Sequence, residues 1–99
     1  MHWIIYAVDK PSMLPTRTAN VDKHREYLAA HPIRTLISGP LTDDAGTNMT
    51  GSFFLVEADS RAEVEAFNRN DPFWSLGIWE SVDIHAFYKR VDDRAGAPQ

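Results

Sequence analysis

The sequence predicts an α+β domain whose elements follow the order β-α-β-β-α-β. Four short segments rich in β-branched and aromatic residues are typical of strands, and two longer segments carry apolar residues at helical spacing. This order is that of the ferredoxin-like split βαβ arrangement. Right-handed crossovers would place both helices on one face of a four-stranded antiparallel sheet.

The first strand and the first helix come from the N-terminal third of the chain. Residues 3–8 are apolar and mostly β-branched or aromatic, which predicts a strand, and two prolines mark residues 10–17 as a loop. A helix is predicted from residue 18 or 20 to residue 30, because its inward-facing residues recur at the helical period. The residues on that face are Val21, His24 and Leu28.

The two middle strands are predicted to form a hairpin. Residues 34–38 make one strand, which we expect Gly39 and Pro40 to end because these residues interrupt regular structure. Residues 41–50 are rich in Asp, Asn and Gly, as hairpin loops are. Residues 51–58 form the other strand, and both of its faces are largely apolar.

The second helix and the last strand complete the order. Ser60 and Glu63 fit a capping box, which predicts a helix from residue 60 to about Asn70. One further helical turn is predicted over residues 72–76, ended by a glycine. Residues 79–88 alternate in polarity and predict the last strand.

Composition limits the partners and the compartment. We expect one domain over residues 1–90 and a polar tail over 91–99. The net charge is −4 and the ten basic residues are scattered, which argues against nucleic acid or an anionic membrane as the main partner. The absence of cysteine excludes disulfides and thiolate chemistry. With no signal peptide and no apolar run of ~20 residues, the expected location is cytoplasmic.

The strands present apolar side chains to both faces of the sheet. Neighbouring residues of one strand point to opposite faces, and several neighbours are both apolar. These pairs are Ile4 with Ile5, Phe53 with Phe54, and Leu55 with Val56. Since the helices cover only one face, the other would be a large apolar patch of the kind that marks interfaces. We therefore expect a homodimer that buries the two open sheet faces against each other, as a dimeric α/β barrel.

His24 and Asp71 are the candidate catalytic residues. His24 shares the sheet-facing side of the first helix, and Asp71 follows Val64 and Phe67 at helical spacing, which places it on the sheet-facing side of the second. If the two side chains meet, the carboxylate accepts a hydrogen bond from one ring nitrogen and leaves the other as a base.

Both residues also have ordinary structural interpretations. A single histidine on an apolar face is more often partly buried and bonded to a backbone carbonyl than catalytic. An aspartate directly before Pro72 is a standard helix N-cap, with the proline at the first helical position. The two interpretations of Asp71 are compatible, because a cap fixes the carboxylate in place.

Five further residues are candidates for substrate binding. Ser38 is either a third member of the catalytic group or a strand-end hydroxyl that satisfies loop backbone, while Gly39 and Pro40 would shape the pocket. Phe73 and Trp74 directly follow Asp71 and would form an aromatic wall suited to a small, flat or cyclic ligand.

No metal and no cofactor is expected. The sequence contains neither an HxH nor an HExxH pattern, and His24 and His31 lie roughly 10 Å apart along a helix, too far to hold one ion. It also lacks a glycine-rich phosphate loop, a dinucleotide fingerprint and the GxSxG motif of hydrolases.

The chain resembles the YCII-related proteins, which are small dimeric α/β-barrel domains, over about residues 1–90. The matching pieces are Ala7-Val8-Asp9-Lys10-Pro11, residues 24–28, Ser38-Gly39-Pro40-Leu41, Gly51-Ser52, Val56-Glu57-Ala58, Asn70-Asp71-Pro72-Phe73, Gly77 and Ser81-Val82-Asp83-Ile84. The resemblance implies a ferredoxin-like fold that dimerises through its sheets and a His–Asp pair, here His24 and Asp71. It also implies cofactor-free elimination of halide from chlorinated hydroxylated rings. One departure is Ala86-Phe87, where members often have Pro-Trp.

The leading hypothesis is a cofactor-independent enzyme that acts on a small organic molecule by acid–base catalysis. His24 would be the general base and Asp71 would orient it, so that proton abstraction leads to elimination or isomerisation. A non-catalytic small-molecule-binding or accessory domain is the first alternative. A cofactor-free oxygenase of the dimeric barrel type is the second.

Overall fold

The chain forms the expected α+β fold in its computed structural model, which describes residues 1–94 and 96. A four-stranded sheet and three helices make up this part of the chain. In chain order the elements are β1 (His2–Asp9), α1 (Leu14–Ala30), β2 (Arg34–Thr42), β3 (Met49–Glu57), α2 (Arg61–Arg69), α3 (Pro72–Ser75) and β4 (Trp79–Phe87).

The sheet is antiparallel and has the strand order β2-β3-β1-β4. The first strand therefore lies in the centre, between the third and the last. This is the order that the split βαβ arrangement requires, and the predicted ferredoxin-like topology is confirmed. The edge strands of the sheet are β2 and β4.

One face of the sheet packs against the helices and forms the core. Trp3 lies opposite Val56 and Ile5 lies opposite Phe54 on paired strands, so these four side chains share a face. All four are buried. The helices add Tyr27, Leu28, Val64, Phe67 and Phe73 to the same cluster. Both crossover helices thus cover one face of the sheet, as the topology predicted.

The opposite face of the sheet, here called the open face, has an apolar centre formed by Ile4, Tyr6, Ile37, Phe53 and Leu55. Across β1 and β3, Ile4 pairs with Leu55 and Tyr6 with Phe53, and Ile37 of β2 pairs with Leu55. Tyr6 is 43% exposed and Ile37 is 37% exposed. A single chain therefore leaves part of this apolar centre in contact with water.

Helix α1 begins several residues earlier than the sequence predicted. Leu14 is its first residue and Pro15 lies in its first turn, although this proline had suggested a loop. The first turn of a helix does not use its backbone N–H groups for internal hydrogen bonds, so a proline there costs nothing. The extra turn brings Arg17 onto the helix, where it is buried.

Strand β2 does not end at Gly39 and Pro40 as predicted. Both residues lie inside the strand, which continues to Thr42 and leaves a loop of residues 43–48. Because β2 is an edge strand, the missing N–H of a proline need not leave a partner unsatisfied. In the loop, the carboxylate of Asp43 accepts hydrogen bonds from the backbone N–H groups of Thr47 and Asn48.

The N-terminus of α2 carries the predicted capping interaction. The Ser60 side chain accepts a hydrogen bond from the Glu63 N–H at 3.3 Å. The Glu63 carboxylate reaches back to the N–H of Asp59 at 2.9 Å, one residue before the cap. Two backbone donors at this helix end are satisfied in this way.

The polar tail predicted over residues 91–99 lies partly outside the described residues. Within the described part, Asp92 is buried and its carboxylate contacts Lys89 at 3.4 Å and Arg94 at 2.7 Å. In residues 1–94 and 96, none of the helices is long and apolar enough to cross a bilayer.

Candidate active site

His24 and Asp71 are in contact at the interface between α1 and the start of α3. The His24 Nδ1 atom lies 2.9 Å from Asp71 Oδ1 and 2.8 Å from Asp71 Oδ2. Both residues are buried, and the Asp71 side chain is almost completely so. The helical phases placed both residues on sheet-facing sides but left open whether they touch, and the structure shows that they do. A catalytic role for the pair stays a prediction.

Asp71 is also the N-cap of α3. Its backbone is extended, Pro72 follows in the first turn, and its Oδ1 atom accepts a hydrogen bond from the Phe73 N–H at 2.8 Å. The carboxylate is therefore held by two donors from different directions, a backbone N–H and an imidazole N–H. Hydrogen bonds of this kind fix the orientation of the side chain.

Aromatic rings hold the imidazole of His24 in place. The ring of Phe73 stacks on it with a centroid distance of 4.1 Å and an interplanar angle of 6°. Phe54 of β3 meets it edge-on at 5.8 Å. With Nδ1 bound to Asp71, the second ring nitrogen, Nε2, has no hydrogen-bond partner in the described part of the chain. The arrangement leaves Nε2 able to accept a proton.

Tyr27, one turn after His24 on α1, is not available as a base at neutral pH. Its hydroxyl donates a hydrogen bond to the Phe67 carbonyl at 2.6 Å. Burial, together with the negative charge of Asp71, raises the pKa of Tyr27 to about 12. The phenol therefore stays neutral and anchors α1 to α2.

A second buried polar cluster adjoins the pair and was missed in the sequence. Arg17 donates to the two carboxylate oxygens of Asp9 at 2.7 and 3.0 Å and to the Ser52 hydroxyl at 2.6 Å. Its guanidinium carbon lies 4.9 Å from the centroid of the Phe73 ring. A signal existed in the sequence, because Arg17 precedes His24 by two helical turns on the same face, but the proline before it suggested a loop.

Family membership follows from a comparison with protein-family models. The family model of the YCII-related domain matches residues 1–88. The chain belongs to the YCII-related family. A comparison with curated proteins found no match.

Two of the solved structures that resemble this YCII-related chain are informative. One is 5-chloro-2-hydroxyhydroquinone dehydrochlorinase (TftG) from Burkholderia phenoliruptrix AC1100, in complex with 2,5-dihydroxybenzoquinone. It is 33% identical, with a TM-score of 0.77 over 89% of this chain and 94% of TftG. The other is an uncharacterised NIPSNAP domain protein from Burkholderia xenovorans, 16% identical, with a TM-score of 0.53 over 99% of this chain and 98% of that one. The second likeness concerns the fold alone.

Three of the predicted substrate-binding residues of this YCII-related chain lie on β2, and they are divided between the two faces of the sheet. Ser38 and Pro40 lie opposite Phe54 and Ser52 of β3, so they share the face that the helices cover. Gly39 lies opposite Phe53, at a position that belongs to the open face. All three are exposed on the edge strand, and no hydrogen bond joins Ser38 to His24. The structure therefore places Ser38 and Pro40 beside the strand that contacts His24, without bringing them into contact with it.

Phe73 and Trp74 were predicted to form one aromatic wall, but they lie in different environments. Phe73 is completely buried against His24, whereas Trp74 is 44% exposed. Trp74 lines a cavity of about 330 Å³ next to β4, together with Lys10 and Gly77. Neither His24 nor Asp71 lines that cavity, so Trp74 lies apart from the pair in a single chain.

No metal site accompanies the pair. Within residues 1–94 and 96, there is no group of three or more His, Asp or Glu side chains that could hold an ion. The donor set around His24 consists of one carboxylate and aromatic rings, which suits proton transfer better than metal binding.

Proposed function

We propose that this YCII-related chain is a cofactor-independent enzyme in which His24 is the general base and Asp71 orients it. The observation that carries the proposal is the buried contact between His24 Nδ1 and the Asp71 carboxylate, while Nε2 has no hydrogen-bond partner among residues 1–94 and 96. The substrate class is a small hydroxylated ring that carries a halogen. The reaction is proton abstraction followed by elimination of halide, and isomerisation is the other outcome open to the same step.

The similarity to TftG supports this substrate class. TftG is named as the dehydrochlorinase of a chlorinated hydroxyhydroquinone, and it binds 2,5-dihydroxybenzoquinone, a flat ring rich in oxygen. The 33% identity over most of both chains supports a shared type of chemistry.

The proposed step needs only groups that the chain supplies. Asp71 accepts the Nδ1–H of His24, so Nε2 carries the lone pair and takes a proton from a ring hydroxyl of the substrate. The imidazolium, stabilised by the Asp71 carboxylate, returns that proton to the ring carbon that bears chlorine, which gives the keto tautomer. Nε2 then takes the proton of a second ring hydroxyl, whose oxygen becomes a carbonyl, while the electron pair forms a ring double bond and chloride leaves the same carbon. The products are a quinone and hydrogen chloride, and no oxidant is consumed. A positioned base supplies about 10²–10⁴-fold acceleration, which is enough for a substrate that is already activated.

Chloride release tests the proposed function directly. The purified protein is incubated with 5-chloro-2-hydroxyhydroquinone under nitrogen, and chloride and quinone absorbance are followed with time. We expect turnover by the natural chain, its loss in His24→Ala, and its retention in the control Lys23→Ala, which changes an exposed side chain of the same helix. Turnover by His24→Ala at the natural rate would remove His24 from the mechanism.

The same assay separates the two alternatives. Binding of the ring compound without chloride release would favour a non-catalytic binding domain. Oxygen consumption with a quinol substrate in air would favour the oxygenase. The proposal of an eliminating enzyme requires chloride release without oxygen.

We also propose that residues 1–90 act as a homodimer that buries the open face. The apolar centre of that face, which includes Tyr6 and Ile37, is partly exposed in a single chain. Apolar patches of this kind are uncommon on monomers and mark interfaces. A two-fold contact between identical faces would close two sheets into a barrel.

A further inference from the structure

The buried cluster of Arg17, Asp9 and Ser52 has no part in the chemistry proposed above, although it lies beside it. Arg17 is only 2% exposed, and its partner carboxylate on Asp9 is also nearly inaccessible. Three hydrogen bonds fix the guanidinium: two to Asp9 and one to the Ser52 hydroxyl at 2.6 Å. The two-pronged contact to Asp9 sets the plane of the guanidinium as well as its position.

Stability alone is a weak explanation for this cluster. Taking an ion pair out of water costs about as much as the attraction between the charges returns, and well-packed apolar residues often do as well. The core around it is apolar and aromatic, so apolar residues in place of the whole cluster would also suit this part of the fold. The guanidinium also contacts an aromatic ring, which points to an additional role.

Phe73 is the residue that joins this cluster to His24. Its backbone N–H donates to the Asp71 carboxylate, and its ring stacks on the imidazole at 4.1 Å with an angle of 6°. The same ring has the Arg17 guanidinium carbon 4.9 Å from its centroid. Arg17 and His24 lie two turns apart on the same face of α1. The Phe73 ring packs against this face and contacts both side chains.

We propose that Arg17, held by Asp9 and Ser52, is a positioning residue that keeps the Phe73 ring flat against His24. A guanidinium above an aromatic face is attracted to it, and the attraction is strongest when the pair is desolvated, as here. The ring cannot rotate or withdraw without losing this contact, and the imidazole plane is thereby fixed relative to Asp71. The role of His24 as the base rests on the proposed function, whereas the effect on its geometry does not.

Two measurements on variants of Arg17 test the positioning role. Arg17→Met keeps the length and removes the charge, Arg17→Lys keeps the charge without the fork, and Arg25→Met is the control on an exposed position of the same helix. We expect kcat to fall about 10- to 100-fold in Arg17→Met with little change in KM, because a small misplacement of the base slows the chemical step. The kcat of Arg17→Lys should lie between those of Arg17→Met and the natural chain, and the kcat of Arg25→Met should equal that of the natural chain.

The second measurement does not depend on turnover. In the NMR spectrum the His24 ring protons, assigned by their loss in His24→Ala, should be displaced upfield by the ring current of the stacked Phe73. Arg17→Met should move them toward the position of an unstacked imidazole, and Arg25→Met should not. Unchanged His24 resonances in Arg17→Met would overturn the positioning role, whereas absence of turnover in the natural chain would overturn only the proposed function.

A milder variant keeps the test decisive if Arg17→Met does not fold. Ser52→Ala removes one hydrogen bond to Arg17 and leaves the ion pair in place. We expect a smaller downfield movement of the same His24 resonances in Ser52→Ala. Resonances identical to those of the natural chain would contradict the proposal.

Discussion

The Nδ1 atom of His24 and the Oδ1 atom of Asp71 lie 2.9 Å apart, although 47 residues separate the two side chains in sequence. The same Oδ1 atom accepts the N–H of Phe73 and so caps α3. One carboxylate oxygen thus begins a helix and also holds an imidazole. Its two tasks can be separated by substitution.

Asp71→Asn should keep the cap and lose the activity. Asparagine caps helices as well as aspartate does, so the free energy of unfolding should change by less than about 1 kcal/mol. The amide would donate to Nδ1 and shift the ring proton to Nε2, the atom that must accept the substrate proton, so kcat should fall by about 10²–10⁴-fold. Urea unfolding and the chloride assay measure the two effects. An Asp71→Asn variant as active as the natural chain would leave Asp71 with the capping role alone.

Gly51→Ala should destabilise the sheet, whereas Gly39→Ala should not. A Cβ atom at position 51 would lie 2.2 Å from the backbone carbonyl oxygen of Ala7, and neither strand can yield easily. At position 39 a Cβ atom meets nothing within 4 Å. We expect a loss of about 1–3 kcal/mol in the first variant and a change within about 0.5 kcal/mol in the second. Chemical unfolding of both gives the comparison, and equal stabilities would contradict the close approach of β1 and β3.

The protein should lose stability in strongly alkaline solution because the partly buried phenol of Tyr27 then loses its proton. Its pKa in the folded chain is raised from the ordinary 10.0 to about 12, so the folded state holds the phenol proton more tightly than the unfolded state does. This contribution to stability is fully present below pH 10 and is lost as the pH rises through 10 to 12.

The matched variants for Tyr27 are Tyr27→Phe and Tyr88→Phe, the latter at an exposed position. Unfolding free energies measured from about pH 9 to pH 12 should fall less steeply in Tyr27→Phe than in the natural chain, and equally steeply in Tyr88→Phe. Tyr27→Phe should also cost about 1 kcal/mol at neutral pH, because the Phe67 carbonyl loses its donor. Equal pH slopes in all three chains would contradict the burial of the phenol.

Tyr6→Lys should convert the proposed dimer into a monomer. A lysine at the centre of the open face would place two like charges in the buried interface, one from each copy. Leu76→Lys is the control, because Leu76 is about as exposed but lies next to α3, away from the open face. Light scattering should give twice the chain mass for the natural protein and for Leu76→Lys, and the single chain mass for Tyr6→Lys. A monomer mass for the natural chain would contradict the proposed homodimer.

Some of the candidate site could be predicted from short-range rules. The spacing of Val21, His24 and Leu28 defines an inward face, and Asp71 before Pro72 defines a cap, because both patterns depend on helix geometry alone. The same short-range rules did not predict that Phe73 is buried and Trp74 is exposed. Consecutive residues of a helical turn point about 100° apart, so one faces His24 and the other faces water.

Other features depend on neighbours that are distant in sequence. The local pattern places Pro15 and Arg17 in a loop, and only the packing of the first turn of α1 against β1 shows that a helix begins there. Gly39 and Pro40 predict the end of β2, yet they are tolerated inside it because β2 lies at the edge of the sheet. Edge position is a property of the assembled sheet, which a local pattern does not report.

The sequence by itself determined the order of the elements, the faces of its two long helices and the cap at Asp71, since each follows from the geometry of a few neighbouring residues. Only the tertiary structure decided that the carboxylate of Asp71 reaches His24, that the Phe73 ring contacts both His24 and Arg17, and that Trp74 does not join them. Those relations join residues from β1, α1, β3 and α3, and they depend on how α1 and α3 dock on the sheet.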